Sequence, residues 1–212
     1  KEKHFKSMFD MMDAGSNVVR SHQLLMLPDS DMNTIENRKK YGMETRYRLQ
    51  PKCFGNYEFE GESFPCAEID ELCVANNTMS YEDYLECRFL NLTVELFYNN
   101  GVFNEYVRLL KYYDILPSTL IKKINGQILK TPLKSLYDDF LKETEHSLWK
   151  DRFELEKLIK SPGTVDRFIK EDLRINEQLT FRAQAFFYKM TELHNLVVKA
   201  TKELLDEKSH LN

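Results

Sequence analysis

Glycine and proline are scarce, seven and six among 212 residues. So few chain breakers favour long helices over a turn-rich β architecture. Long apolar runs are missing as well. The longest are four residues, as at Leu24-Leu25-Met26-Leu27, whereas a membrane helix needs about eighteen. There is no excess of positive charge. The formal charge is −4, made of −3 up to Thr78 and −1 beyond it. Neither part has the basic surplus of a nucleic-acid binder.

Cysteine is also sparse. Cys53, Cys66, Cys73 and Cys87 make no CxxC and no CxxxCxxC, so their spacing supports neither a zinc knuckle nor a cluster loop. Free thiols in a reducing cytoplasm are the expectation. Asn76-Asn77-Thr78 and Asn91-Leu92-Thr93 match glycosylation sequons, a pattern short enough to arise by chance. G-x-S-x-G, G-x-G-x-x-G and Walker loops are all missing, so no motif announces a hydrolase or a nucleotide fold. No charged-then-apolar signal segment opens the chain. Lys1 falls in mid-pattern without a Met. The expectation is a piece of a longer protein whose chemistry lies partly on other polypeptide.

What is present is an ordinary globular balance, 42% hydrophobic and 30% charged, which excludes wholesale disorder. Residues 1–78 mix helix and strand signals. Phe5, Met8, Phe9 and Met12 predict a helix over 2–14, stopped by Gly15. Val18 to Leu27 reads as a strand ended by Pro28, its apolar end implying cover on both faces. A short helix over 32–41 and a strand over 45–50 follow. Weaker strand signals lie at 57–59 and 68–74. Helix, strand, helix, strand is the rhythm of an α/β unit.

Residues 79–212 are helical in pattern. Ser80 and Asp83 resemble a capping box before a helix over 81–98, and Asn99-Asn100-Gly101 stops it. Further helices are predicted over 102–113 and from Pro117 to Gly126. A long amphipathic helix runs from Leu133 through Ile159 and is broken by Pro162-Gly163. A short helix over 164–172 precedes a last one over 178–206. The expected fold is α+β and mainly helical, divided at 78/79.

Few residues suggest chemistry. None of the five histidines pairs with another His or Cys at ligand spacing, so no metal site is predicted. His22, within the first predicted strand, is read as a hydrogen-bonded wall residue. Asp138-Asp139 and Glu143/Glu145 sit on the solvent side of a helix. Arg46 and Arg48 alternate by two on the second strand and share a face. They are candidate substrate-binding residues, a guanidinium clamp for a carboxylate or phosphate. The alternative is outward side chains paired with Glu44 or Glu58.

Several stretches resemble one family. They are Met8-Phe9-Asp10-Met11-Met12-Asp13-Ala14-Gly15, Gln23-Leu24-Leu25-Met26-Leu27-Pro28, Gly42 to Arg48, Pro51-Lys52-Cys53-Phe54-Gly55, Met79 to Tyr84, and Leu148-Trp149 to Asp151-Arg152. The chain is similar to the C-terminal third of radical S-adenosylmethionine proteins that carry a cobalamin-binding domain, often described as Fe–S oxidoreductases. That resemblance implies that residues 1–78 are the last elements of a radical SAM barrel and 79–212 a helical extension. It implies S-adenosylmethionine, a [4Fe–4S] cluster and cobalamin as cofactors of the whole protein, with the cluster loop outside this chain. The implied partners are the preceding part of the same polypeptide and a small-molecule substrate. Asp29 and Ser30, closing the first strand, are candidate cofactor-binding residues. Asp29 departs from the family, which favours Gly after Leu-Pro. Gly would permit positive φ and a close backbone approach to a ligand. A helical interaction module without catalysis, open to dimerisation through an apolar surface, is the other expectation.

Overall fold

The computed structural model describes residues 1–171 and 176–210. Among them are ten α-helices and one three-stranded sheet. The helices are α1 (Glu2–Asp13), α2 (Ile35–Tyr41), α3 (Tyr81–Val94), α4 (Asn104–Tyr112), α5 (Pro117–Gln127), α6 (Lys134–His146), α7 (Arg152–Ile159), α8 (Thr164–Lys170), α9 (Glu177–Tyr188) and α10 (Met190–Ser209). The strands are β1 (Leu24–Leu25), β2 (Glu44–Phe59) and β3 (Glu62–Ala75). The fold is thus α+β and mainly helical, as expected. Among the described residues no helix is long and apolar enough to cross a membrane.

Contacts divide the chain into two compact units, each discontinuous in sequence. One comprises Lys1–His22, Leu85–Leu141 and Phe181–Asn212; the other comprises Gln23–Tyr84 and Lys142–Thr180. The composition-based division at 78/79 is linear, whereas these units are assembled from segments far apart in sequence.

The helical unit is built around a core that includes Met12, Leu90, Phe97, Leu120, Tyr137, Phe140 and Val197. These positions recur at helical spacing, so the apolar stripe of each helix meets the others. A polar thread crosses this core. Thr93 Oγ1 donates to Asn125 Oδ1 at 2.8 Å and lies 3.2 Å from the Tyr137 hydroxyl. Burial pushes the Tyr137 phenol far up, with the Thr93 hydrogen bond opposing, so it stays protonated and satisfied. Beyond Val94 the helix widens into a π turn over Glu95–Asn99. A single such turn marks a place where side chains are re-aimed inside an otherwise regular helix.

The second unit is organised by a long hairpin. Both β1 and β2 run antiparallel to β3, which lies between them. The first and second predicted strands therefore run in one direction but are not neighbours. Glu60 (φ 51°) and Gly61 (φ 82°) form the two-residue turn between β2 and β3, with Phe59 opposite Glu62. Two consecutive positive φ values identify a type I′ turn, whose twist matches that of the strands. The weak signals at 57–59 and 68–74 are the two sides of this hairpin.

The predicted strand over 18–27 is corrected. Only Leu24 and Leu25 enter the ladder, and both are exposed, as is Leu27. An apolar run predicts cover on both faces, but β1 is a sheet edge with no further strand beside it among the described residues. The predicted helix over 133–159 is two helices. Trp149 leaves the helical path to pair with Tyr47, N–H to carbonyl in both directions at 2.7 and 2.8 Å. Asp151 then caps α7 by accepting from the Phe153 N–H at 2.7 Å. The last predicted helix is likewise interrupted, at Lys189 (φ −130°). The predicted end of the helix over 164–172 lies outside the described residues.

Local stop and start signals act where the sequence places them. Gly42 (φ 56°) closes α2, with Met43 N–H bonded to the Arg38 carbonyl and Gly42 N–H to that of Lys39. A side chain there would collide with Asn77. Ser80 and Asp83 form a reciprocal capping box, Asp83 N–H to Ser80 Oγ at 3.1 Å and Ser80 N–H to Asp83 Oδ2 at 3.3 Å. Ser80→Ala is expected to lower stability by about 1 kcal/mol, readable as a shifted midpoint in urea denaturation.

Candidate functional site

Along the base of the hairpin, Tyr47, Leu49, Ile69 and Ala67 turn one face of the sheet towards Leu155, Ile159, Val165 and Phe168 of α7 and α8. Side chains alternate along a strand, so Arg46 and Arg48 share the opposite face, opposite Leu72 and Asp70. Arg48 is mostly buried there. Its Nε and Nη2 lie 3.4 Å from Asp70 Oδ2, and its Nη1 lies 3.8 Å from Glu177 Oε1. A cation held between two carboxylates has its charge already balanced. The space beside it, bounded by Pro51, Glu143, Ser147, Trp149 and Glu177, is about 30 Å³, room for one water and not for a substrate.

Arg46 is placed differently. Its Nη1 donates to the Thr45 carbonyl at 2.9 Å, and its guanidinium lies 5.8 Å from the centre of the Tyr81 ring. Burial raises the Tyr81 phenol, Glu145 adds to this, and Arg46 works against it. Neither arginine pairs with Glu44 or Glu58; the partners of Arg48 come from β3 and α9.

Asp29 and Ser30 occupy a turn with Pro28 at its second position. Ser30 N–H and Oγ both donate to the Leu27 carbonyl, at 3.3 and 2.8 Å. Asp29 has φ 59°, the left-handed conformation that the third position of a type II turn requires. The residue that departs from the family pattern therefore takes a backbone shape natural to Gly. Asp29→Gly is expected to be neutral or slightly stabilising, and Asp29→Ala to cost about 1 kcal/mol, because Ala lacks the tolerance of Asp for this region. Thermal unfolding of the two variants checks the order. No hydrogen bond or ion pair joins Asp29 or Ser30 to Arg46 or Arg48 among the described residues.

The network anchoring that turn went unread in the sequence. Asn33 Nδ2 donates to the carbonyls of Met26 and Leu27, at 3.1 and 3.0 Å. Arg38 Nε donates to Asn33 Oδ1 at 2.8 Å, and its two terminal nitrogens grip Glu71 at 2.8 and 2.7 Å. Tyr47 OH reaches Glu71 at 3.4 Å. Burial opposes the Glu71 charge, but hydrogen bonds from Arg38, Thr45 and Tyr47 outweigh it and hold the carboxyl below its usual range. No spacing rule connects residues 33 positions apart, so no sequence signal could have assembled this group.

In the helical unit, a cleft of about 450 Å³ is lined by Tyr98, Asn99, Asn100, Asn104, Arg108 and Lys111 among others. Its size suits a small molecule. Its amides are largely committed. Asn99 accepts from Val19 N–H at 2.8 Å and donates to the Val19 carbonyl at 3.0 Å and to Glu95 at 2.8 Å. Asn100 donates to the Glu95 carbonyl. The signal was the Asn99-Asn100-Gly101 run, read only as a helix stop. The lining pairs no nucleophile with a base.

The residues present do not fit an iron–sulfur cluster. None of the four cysteines forms a disulfide among the described residues; Cys73 and Cys87 are buried, Cys53 is half-buried and Cys66 is exposed. Among the described residues no group of three or more His, Cys, Asp or Glu could hold a metal ion. No protein-family model matches the chain, and no curated protein matches it closely.

Proposed function

We propose that this chain is the C-terminal part of a radical SAM protein of the cobalamin-binding type, closing the barrel mouth and shaping the substrate site. The observation that carries this reading is the state of β1. Leu24, Leu25 and Leu27, a run patterned for cover on both faces, are exposed at a sheet edge, and Met32 and Ile35, a few residues further along the chain, are exposed as well. Unpaired strand groups next to an apolar surface are what remains when a covering element belongs to another part of a fold. On this reading Arg46, which has no carboxylate partner among the described residues, is the better candidate for substrate contact, and Arg48 holds the wall in place. The cluster and S-adenosylmethionine would be held by other polypeptide. The test is anaerobic purification of the entire polypeptide that the gene encodes, with iron and sulfide reconstitution. A bound [4Fe–4S] cluster and formation of 5′-deoxyadenosine from S-adenosylmethionine are expected. Failure of both overturns the reading.

A second reading, a helical interaction module without catalysis, draws on Tyr112, Phe187 and Tyr188, which are 82%, 82% and 78% exposed. Large aromatic side chains left in water favour a partner surface.

A further inference from the structure

The outer part of the β2–β3 hairpin is amphipathic in the wrong sense for its own unit. Near the base, the odd-numbered residues Tyr47 and Leu49 of β2 face the small core. Continued regularly, the same parity would carry Tyr57 and Phe59 onto that core face. It does not continue. Leu49 pairs with Ile69 and Phe54 with Ala67, so residues 50–53 bulge out opposite Glu68 alone. Pro51, which cannot donate to a ladder, and Lys52 (φ 64°) lie in this bulge, where such residues are tolerated. The bulge reverses the parity of β2. Phe54 now faces the core, its ring 5.7 Å from that of Phe168, and Asn56 on the same face bonds to Asp166 of α8. Tyr57 and Phe59 are turned away.

Register puts Phe64 directly opposite Tyr57, and Glu62 opposite Phe59. The outward face therefore carries Tyr57, Phe59 and Phe64, with Glu62 at its tip, and the three aromatics are 65%, 66% and 44% exposed. The inward face carries Asn56, Glu58 and Ser63. From Cys53 to Ile69 the chain has four glutamates and no basic residue, so this arm alone matches the −4 formal charge of the whole protein. β1 pairs with β3 only at Leu72 and Cys73. Beyond that point both edges of the arm lack a neighbouring strand among the described residues. A two-stranded ribbon of this kind is marginal in water by itself.

We propose that this arm is a docking site for a basic, apolar segment of another protein. The segment would lie along β2 as an added strand. Its apolar side chains would cover Tyr57, Phe59 and Phe64, its alternate Lys or Arg residues would meet Glu58 on the opposite face, and Glu60 and Glu62 at the tip would add negative charge around the site. Aromatic groups in the centre supply the binding energy, while the acidic rim steers the approach and sets the sign of the partner. This assignment does not depend on the radical SAM reading.

The probe is a labelled peptide alternating Lys with Val, titrated against the full chain and followed by fluorescence anisotropy. Control peptides carry Glu in place of Lys, or Ser in place of Val. The Lys/Val peptide should bind at least about tenfold more tightly than either control, and should weaken by a similar factor with Tyr57→Ser/Phe59→Ser/Phe64→Ser. Raised salt should weaken it further. Glu58→Lys/Glu60→Lys/Glu62→Lys should reverse the preference towards the Glu/Val peptide. All six positions are exposed, so the variants should melt as the native chain does. If the aromatic variant does not fold, the charge-reversal variant carries the test. No binding, equal binding of the Ser-containing peptide, or equal binding by the aromatic variant overturns the proposal. So does self-association that the aromatic variant abolishes without any preference for the basic peptide, because the occupant is then a second copy of this chain.

Discussion

Glu95→Ala is expected to lower the stability of the helical unit by about 3 kcal/mol, the scale of removing one partner from a buried charge pair. Glu95 is 2% exposed. Its carboxylate accepts from Arg182 Nη1 at 2.7 Å and from Asn99 Nδ2 at 2.8 Å. Loss of those acceptors leaves the Asn99 amide and the part-buried Arg182 guanidinium without their shared carboxylate. The effect spreads because Asn99 holds both backbone groups of Val19. Amide hydrogen exchange at Val19 should therefore quicken in the variant. Glu95→Gln should also be costly, since its NH₂ would face donors. Arg182→Ala should cost less, because Arg182 keeps more water around its side chain. Urea denaturation of the two single variants and the double variant gives the coupling energy. A coupling near zero would refute the pairing as a source of stability.

Glu71→Gln should cost the hairpin unit about 2 kcal/mol at neutral pH, by weakening the bidentate contact with Arg38. The pH dependence has a definite sign. The Glu71 carboxyl is held below its usual range in the folded state, so the unfolded chain binds its proton first as pH falls. The stabilisation is full above the unfolded value near 4.3 and disappears as pH drops through the folded value. Native protein and variant should therefore converge in stability on acidification. Midpoints that stay equally far apart from neutral pH down to pH ~3 would exclude this role for Glu71. Exposure of the turn at Leu27 should accompany the loss, because Asn33 and Arg38 connect Glu71 to it.

The helical character, the capping box at Ser80 and Asp83, the start at Pro117 and the end of α1 were all legible in residue order. Each depends on groups within a few positions of one another, whose preferences survive in an isolated peptide. The shared face of Arg46 and Arg48 was legible for the same reason, since alternation is a property of one strand. Their partners were not. Asp70 lies 22 residues from Arg48, and Glu177 comes from a different helix. The length of β1, the breaks at Trp149 and Lys189, and the outward turn of Tyr57 and Phe59 were equally out of reach. A single bulge at 50–53 reverses every side chain beyond it, and that bulge exists only because β3 pairs across it in a particular register. Nearby residues fix which elements can form; long-range pairing, formed cooperatively and at the cost of loop entropy, sets which faces they turn to water.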